Sequence, residues 1–331
     1  MKPIFLSCLI LSLCLAACAS SNQNESPSAE NKKPQQTAEA TFDSTFTPLP
    51  DYTQTTDAST ASAADSVLPA LAPAESPNAY WVTNPSSGSR LYVIVTYPPG
   101  WNGEPIPALV LVPGGIAEHD PNRAARLAEQ GFLAISFDPE GRGRSEGVED
   151  YNGHIGQDGL AAIIEAATAL PGLDANRYGL VSFSYGVTMA TGALARHPDL
   201  PIDFYIDWEG PVNRKYSSGC KPEPQHHIQW QPCDNDAWWA EREALTFIVD
   251  VQIPYQRVQS QKDHVQPVNT HAIDIVNAAV AGGVPWVRLN EYPAGQTYDA
   301  ANPPAMLSDT LDRRLEQTLA MYAWQIIENV L

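Results

Sequence analysis

Cysteine, basic residues and long apolar runs are all scarce in this chain. Its 331 residues include 5 cysteines, and 19 Lys and Arg stand against 38 Asp and Glu. The resulting formal net charge of −19 excludes nucleic-acid binding through a basic face. It also excludes adsorption to an anionic membrane through basic patches. The most apolar stretch, Ile4 to Ala17, is too short for a comfortable membrane span. No internal repeat recurs, and no zinc-type Cys/His spacing is found, so no metal or other cofactor is expected. What the chain does have is 44% hydrophobic residues, enough for one large core with extensions.

The N-terminus reads as an export signal: Lys2 supplies the charge and Ile4 to Ala17 the apolar core. It closes in Leu15-Ala16-Ala17-Cys18, which resembles the lipobox of bacterial lipoproteins. That resemblance implies removal of residues 1–17 and acylation, palmitate included, at Cys18. Ala19 follows rather than Asp, which by the sorting pattern of enteric bacteria directs the protein to the outer membrane. The membrane is then met through the lipid anchor alone, and more than one acyl chain makes such anchoring stable. Cys8 and Cys14 leave with the signal, and Cys220 and Cys233 remain where disulfides persist, so they are expected to pair. His226 and His227 between them keep a zinc site as the alternative. Residues 18–77 are rich in Ser, Thr, Ala, Asn, Gln and Pro and form a disordered tether, because they hold too little apolar surface to offset ordering entropy.

Folded structure is expected over 78–331. Tyr80 to Thr83 and Arg90 to Tyr97 read as a strand pair around a Pro85-Ser86-Ser87-Gly88 turn. Ala108 to Val112 and Phe132 to Phe137 are continuous apolar runs, as buried parallel strands require. Between them Asp120 caps a helix with Pro121 at its first position. Strands and helices then alternate to the C-terminus, with Leu311, Leu315, Leu319, Tyr322, Ile326 and Val330 striping the last helix. Residues 213–246 break the pattern: they are polar, carry the two cysteines and read as an insertion over the sheet edge. Trp208, Trp230, Trp238 and Trp239 gather there, either pinning the insertion or lining a pocket. The alternation implies an α/β fold, a mostly parallel sheet with helices on both faces.

Three motifs carry chemistry. Pro113-Gly114-Gly115 follows the third strand, Asp138-Pro139-Glu140-Gly141-Arg142-Gly143-Arg144-Ser145 the fourth, and Ser182-Phe183-Ser184-Tyr185-Gly186 the fifth. The last is shaped as a strand, a sharp turn and a helix, with Ser184 at the apex and Gly186 small where the two elements approach. Together, in this order, they resemble the α/β-hydrolase superfamily, nearest its dienelactone-hydrolase-like and serine-aminopeptidase-like members, over Asn78 to Leu331. The resemblance implies an α/β-hydrolase fold with the disulfide-bearing insertion after the sixth strand, and Ser184 as nucleophile. It places the oxyanion hole at the N–H groups of Tyr185 and Gly115, with Ile116 in reserve. Asp138, Gly141 and Gly143 hold their own loop. Asp263, in the loop after the seventh strand, is the candidate acid, and Glu209 is a second.

The family's base is a His after the last strand, and the matching position here is Gln296, which cannot carry a proton at neutral pH. Of the 7 histidines, His119, His226 and His227 rank first as substitutes; His264 is set aside because neighbours on one loop seldom relay to each other. Two functions stay open. One is an envelope-anchored serine hydrolase, an esterase before a peptidase, acting on a small-molecule or peptide substrate. The other is a hydrolase-fold protein that binds a ligand or partner without turnover.

Overall fold

The computed structural model describes residues 69–220, 228–308 and 314–331. The signal peptide, Cys18, the tether as far as residue 68, His226, His227 and Leu311 lie outside the described residues.

Nine described strands form one sheet: β1 (Ala72–Pro73), β2 (Ala79–Thr83), β3 (Arg90–Thr96), β4 (Ile106–Val112), β5 (Leu133–Phe137), β6 (Leu173–Phe183), β7 (Phe204–Trp208), β8 (Tyr255–Val258) and β9 (Val287–Leu289). Their spatial order is β1-β2-β3-β5-β4-β6-β7-β8-β9. β5 to β9 pair in parallel, and β1 to β3 lead in antiparallel. The expected mostly parallel sheet is thus present. β1 adds a strand before Asn78, pairing Ala72 with Trp81. The insertion therefore follows the seventh observed strand, which is the sixth of the sequence reading.

Side chains alternate across each strand, so each face receives every second residue. Ala108, Val110 and Val112 of β4 join one core with Leu180 and Tyr205; Leu109 and Leu111 join the other with Val181 and Ile206. The first core is covered by α2 (His154–Ala167), α3 (Gly186–Arg196) and α7 (Thr270–Gly282), the second by α1 (Pro121–Ala128) and α8 (Leu315–Asn329). Asp120 caps α1 as expected, accepting from the N–H groups of Asn122 and Arg123. In α8 the stripe Leu315, Leu319, Tyr322 and Ile326 is buried. The sheet core needs no charged residue to cohere, which leaves the buried polar groups on its first face to be explained by the site.

Strand order reverses between β4 and β6, which lie side by side while β5 sits beyond β4. At such a reversal the connecting loops leave in opposite directions and open a crevice at the carboxyl ends of the strands. The Gly114-Gly115 turn and Ser184 both lie at this crevice. A Cβ on Gly186 would stand 2.6 Å from Pro113 O and 2.8 Å from Val112 O, so the elbow helix packs directly on the end of β4. Gly186→Ala is therefore expected to cost about 1–3 kcal/mol of stability by overpacking, measured by urea denaturation.

Candidate active site

Ser184 follows β6 directly, with φ of +51°, a left-handed conformation that an L-residue adopts only when its surroundings impose it. The surroundings here are explicit. Ser184 N–H donates to Trp208 O of β7 at 2.9 Å, and Val187 N–H closes the turn on Ser184 O at 3.0 Å. The Gly114 backbone lies against the elbow, where an added Cβ would come 2.5 Å from Phe183 O.

Two further groups converge on Ser184. His264 Nε2 lies 2.9 Å from Ser184 Oγ, and His264 Nδ1 lies 2.8 Å from Glu209 Oε2. Glu209 is fully buried and follows β7 directly, with φ of +50°. Its Oε2 also accepts from His264 N–H at 3.1 Å, and its Oε1 accepts from Ser260 N–H at 3.0 Å and from the Ser260 hydroxyl. With four donors on one carboxylate, its orientation is fixed. Because a carboxylate only accepts, His264 Nδ1 carries the proton, and Nε2 is left as an acceptor facing the Ser184 hydroxyl. Trp208 stacks on the imidazole at 4.6 Å between ring centroids and fixes its plane. Serine, glutamate and histidine thus come from the loops that follow β6, β7 and β8, three neighbouring strands.

This arrangement corrects two expectations. Gln296 does not stand beside Ser184. It is exposed in the loop after β9, at the sheet edge, three strands from β6. Asp263 does not hold the base either. Its Oδ1 is 3.5 Å from His264 Nδ1 but accepts the N–H groups of Val265 and Gln266 at 2.8 and 2.7 Å. Its Oδ2 accepts from Gln259 Nε2 at 2.9 Å and faces His271 Nε2 at 3.2 Å. Asp263 therefore shapes the turn that carries His264. His119, ranked above His264 from the sequence, is engaged elsewhere, with Nδ1 2.6 Å from Asp138 Oδ1. The family resemblance had offered Glu209 as a second acid; His264 was set aside because Asp263 beside it was taken as the acid and neighbours on one loop seldom relay, whereas Asp263 shapes the turn and Glu209 meets the imidazole.

Around these groups the other motifs take structural roles. Asp138 Oδ2 accepts from Arg144 N–H at 2.8 Å, and a Cβ on Gly143 would meet that carboxylate at 2.4 Å, so the glycine-rich loop wraps its own aspartate as expected. Gly115 has φ of +55°, and an added Cβ there would meet nothing within 4 Å, so the turn opens onto free space. Tyr185 precedes the first turn of α3, where N–H groups lack intrahelical partners.

The insertion carries α4 (Arg214–Ser218), α5 (Asp236–Ala240) and α6 (Ala244–Phe247), and its expected disulfide is present between Cys220 and Cys233. It lies over α3 and the loop after β5 rather than over the sheet edge. Arg242 donates to Asp150 O through Nε at 3.0 Å and Nη2 at 2.6 Å, and Gln157 Nε2 donates to Glu241 O at 2.8 Å. Trp230 stacks on Trp239 and meets Tyr185 edge-on at 4.9 Å between centroids. Trp230 thus pins the insertion beside the elbow, Trp238 and Trp239 pack within the insertion, and Trp208 supports His264. Among the described residues no helix is long and apolar enough to cross a membrane.

Compared by sequence, the chain matches no protein-family model and no curated protein. Compared by structure, it is similar to Est1E from Butyrivibrio proteoclasticus, solved with ferulic acid bound, at a TM-score of 0.54 and 14% identity over 73% of this chain and 97% of that one. It is also similar to mouse alpha/beta hydrolase domain-containing protein 10, at 0.54 and 14% over 77% of this chain and all (100%) of that one. Porphyromonas gingivalis dipeptidyl peptidase 4 matches at 0.53 and 16% over 75% of this chain. The chain spans only about a third of the dipeptidyl peptidase structures it matches, 35% and 34% of their lengths. The protein has the α/β-hydrolase fold.

Burial pushes the Asp263 carboxyl up, but hydrogen bonds from His271, Gln259 and the N–H groups of Gln266 and Val265 outweigh it and hold the group well below the usual carboxylate range. A carboxyl depressed on folding contributes stability above its unfolded value of about 3.9, and that contribution is lost as pH falls below it toward the folded value. Asp263→Asn is expected to melt lower than wild type at pH 7, with the gap narrowing steadily below about pH 4. A gap independent of pH in thermal melts would count against the charge.

Proposed function

We propose that the protein is a serine hydrolase of carboxylic esters. Ser184 is its nucleophile, His264 its general base and Glu209 the acid that orients the base. The observation that carries this reading is the unbroken pair of contacts, 2.9 Å from Ser184 Oγ to His264 Nε2 and 2.8 Å from His264 Nδ1 to Glu209.

The chemistry follows from the geometry. A serine hydroxyl attacks a carbonyl only when a base removes its proton in the same step. His264 Nε2 is placed to take it, and the imidazolium so formed lies against the Glu209 carboxylate. The carbonyl oxygen, now negative, turns to the N–H groups of Tyr185 and Gly115, where the bare Gly115 turn leaves room for it. His264 returns the proton to the leaving alcohol oxygen as the ester bond breaks, leaving an acyl group on Ser184. Water then enters, loses a proton to His264 and releases the acid by the same steps in reverse order.

Est1E, of the same fold, is solved with ferulic acid bound, which is consistent with a carboxylic ester; dipeptidyl peptidase 4, also of this fold, keeps peptides as the lesser alternative. The reading of a protein that binds without turnover rested on Gln296 in place of the base, and His264 removes that reason. Acylation at Cys18, outer-membrane anchoring and a tether that lifts the hydrolase domain off the membrane belong to the same proposal.

A fluorophosphonate probe applied to the full-length protein at pH 7.5 is expected to label it at Ser184, located by peptide mass mapping. Ser184→Ala is expected to abolish labelling, His264→Ala to slow it by about 10³-fold or more, and Glu209→Gln by a smaller factor. Absence of labelling in the wild type, or equal labelling in His264→Ala, is the outcome that sinks this function.

A further inference from the structure

Beneath the three site residues runs a chain of polar side chains that the reaction itself does not use. Ser182, Asp207, Arg257 and His271 are wholly buried, and Asp263 is 8% exposed. Ser182 Oγ is 3.3 Å from Asp207 Oδ1. Asp207 Oδ2 accepts from Arg257 Nη1, which also donates to Gly210 O at 3.1 Å. Arg257 Nη2 lies 3.1 Å from His271 Nδ1, and His271 Nε2 lies 3.2 Å from Asp263 Oδ2.

The chain's members stand at telling places. Ser182 is two residues before Ser184, and Asp207 is two before Glu209. Asp263 immediately precedes His264. Ser182 and Asp207 are register partners on β6 and β7, so their side chains share one sheet face. Gly210 O, gripped by Arg257, follows Glu209 directly. The chain therefore touches the backbone support of nucleophile, acid and base in turn.

We propose that Ser182–Asp207–Arg257–His271–Asp263 is a positioning chain for the triad, with His271 as its joint; this rests on the hydrolase reading of Ser184, His264 and Glu209. His271 is the member that joins Arg257 and Gly210 O, beside Glu209, to the Asp263 turn, beside His264. His271 Nδ1 is held between Arg257 Nη2 at 3.1 Å and Gly210 O at 3.0 Å, and its Nε2–H donates to the Asp263 carboxylate. An aliphatic side chain breaks both links, whereas glutamine supplies one acceptor and one donor. Stability alone does not account for the chain. Buried ionic groups are commonly replaced by apolar ones without loss, and Arg257 Nε is buried without a partner among the described residues. Ser182, where the elbow pattern calls for glycine, gains a reason: its hydroxyl ties the nucleophile strand to Asp207.

The test measures p-nitrophenyl acetate hydrolysis by the full-length protein, with thermal melting to establish folding. His271→Leu is expected to lower kcat at least about ten-fold with KM within about two-fold, since small misplacements of catalytic groups are costly. His271→Gln is expected to restore most of that loss. Should His271→Leu not fold, Ser182→Ala carries the test, removing one hydroxyl and lowering kcat about three-fold at constant KM. A folded His271→Leu, or a Ser182→Ala, with wild-type kcat overturns the proposal, as does a His271→Gln no better than the leucine variant. Wild-type protein that neither hydrolyses the ester nor reacts with a fluorophosphonate overturns the hydrolase reading, and the positioning role with it.

Discussion

Parallel pairing of β6, β7 and β8 is the constraint on which the site depends. Neighbouring strands lie about 4.8 Å apart, and their carboxyl ends all open on the same edge of the sheet. Three loops leaving three adjacent strands can therefore bring three side chains within hydrogen-bond reach without long excursions. Ser184 and Glu209 directly follow their strands, both at positive φ, and His264 lies on a short loop beyond β8. The register that pairs Phe183 with Trp208 and Trp208 with Val258 levels the three ends. A slip of one residue in either pair would turn these side chains to the opposite face.

Strain at two of the three residues is matched by hydrogen bonds rather than by flexibility. Ser184 N–H is tied to Trp208 O at 2.9 Å and Glu209 N–H to Val258 O at 3.1 Å, each strand end holding the one before it. Burial on the same face is polar where the site needs orientation and apolar elsewhere. The crevice at the strand-order reversal supplies space, the Gly114-Gly115 turn opens onto it, and the insertion meets the elbow through Trp230 and Tyr185.

Much of this was legible in the residues. Continuous apolar runs marked the buried strands, because a strand covered on both faces cannot alternate. Pro121 after Asp120 marked the start of α1, and Ser184 was recognisable from the elbow it shares with two other motifs in fixed order. The histidine that meets Ser184 was not legible. Its identity depends on which loop end reaches Ser184, and that is set by strand neighbours and by the Asp263 turn, neither of which has a local signature. Gln296 occupied the position expected by analogy, but β9 is a short edge strand and its loop lies too far along the sheet. Asp263 was singled out as the candidate acid, yet its carboxylate caps a turn, since a carboxylate that shapes a turn and one that orients a histidine look alike in sequence.

A crystal structure of the protein after reaction with a small phosphonate ester tests the three-strand triad most directly. The account requires phosphorus bonded to Ser184 Oγ, the phosphonyl oxygen held by the N–H groups of Tyr185 and Gly115, and His264 still bridging Ser184 and Glu209. A structure in which His264 has left Ser184 and another side chain, Gln296 included, takes its place would contradict it.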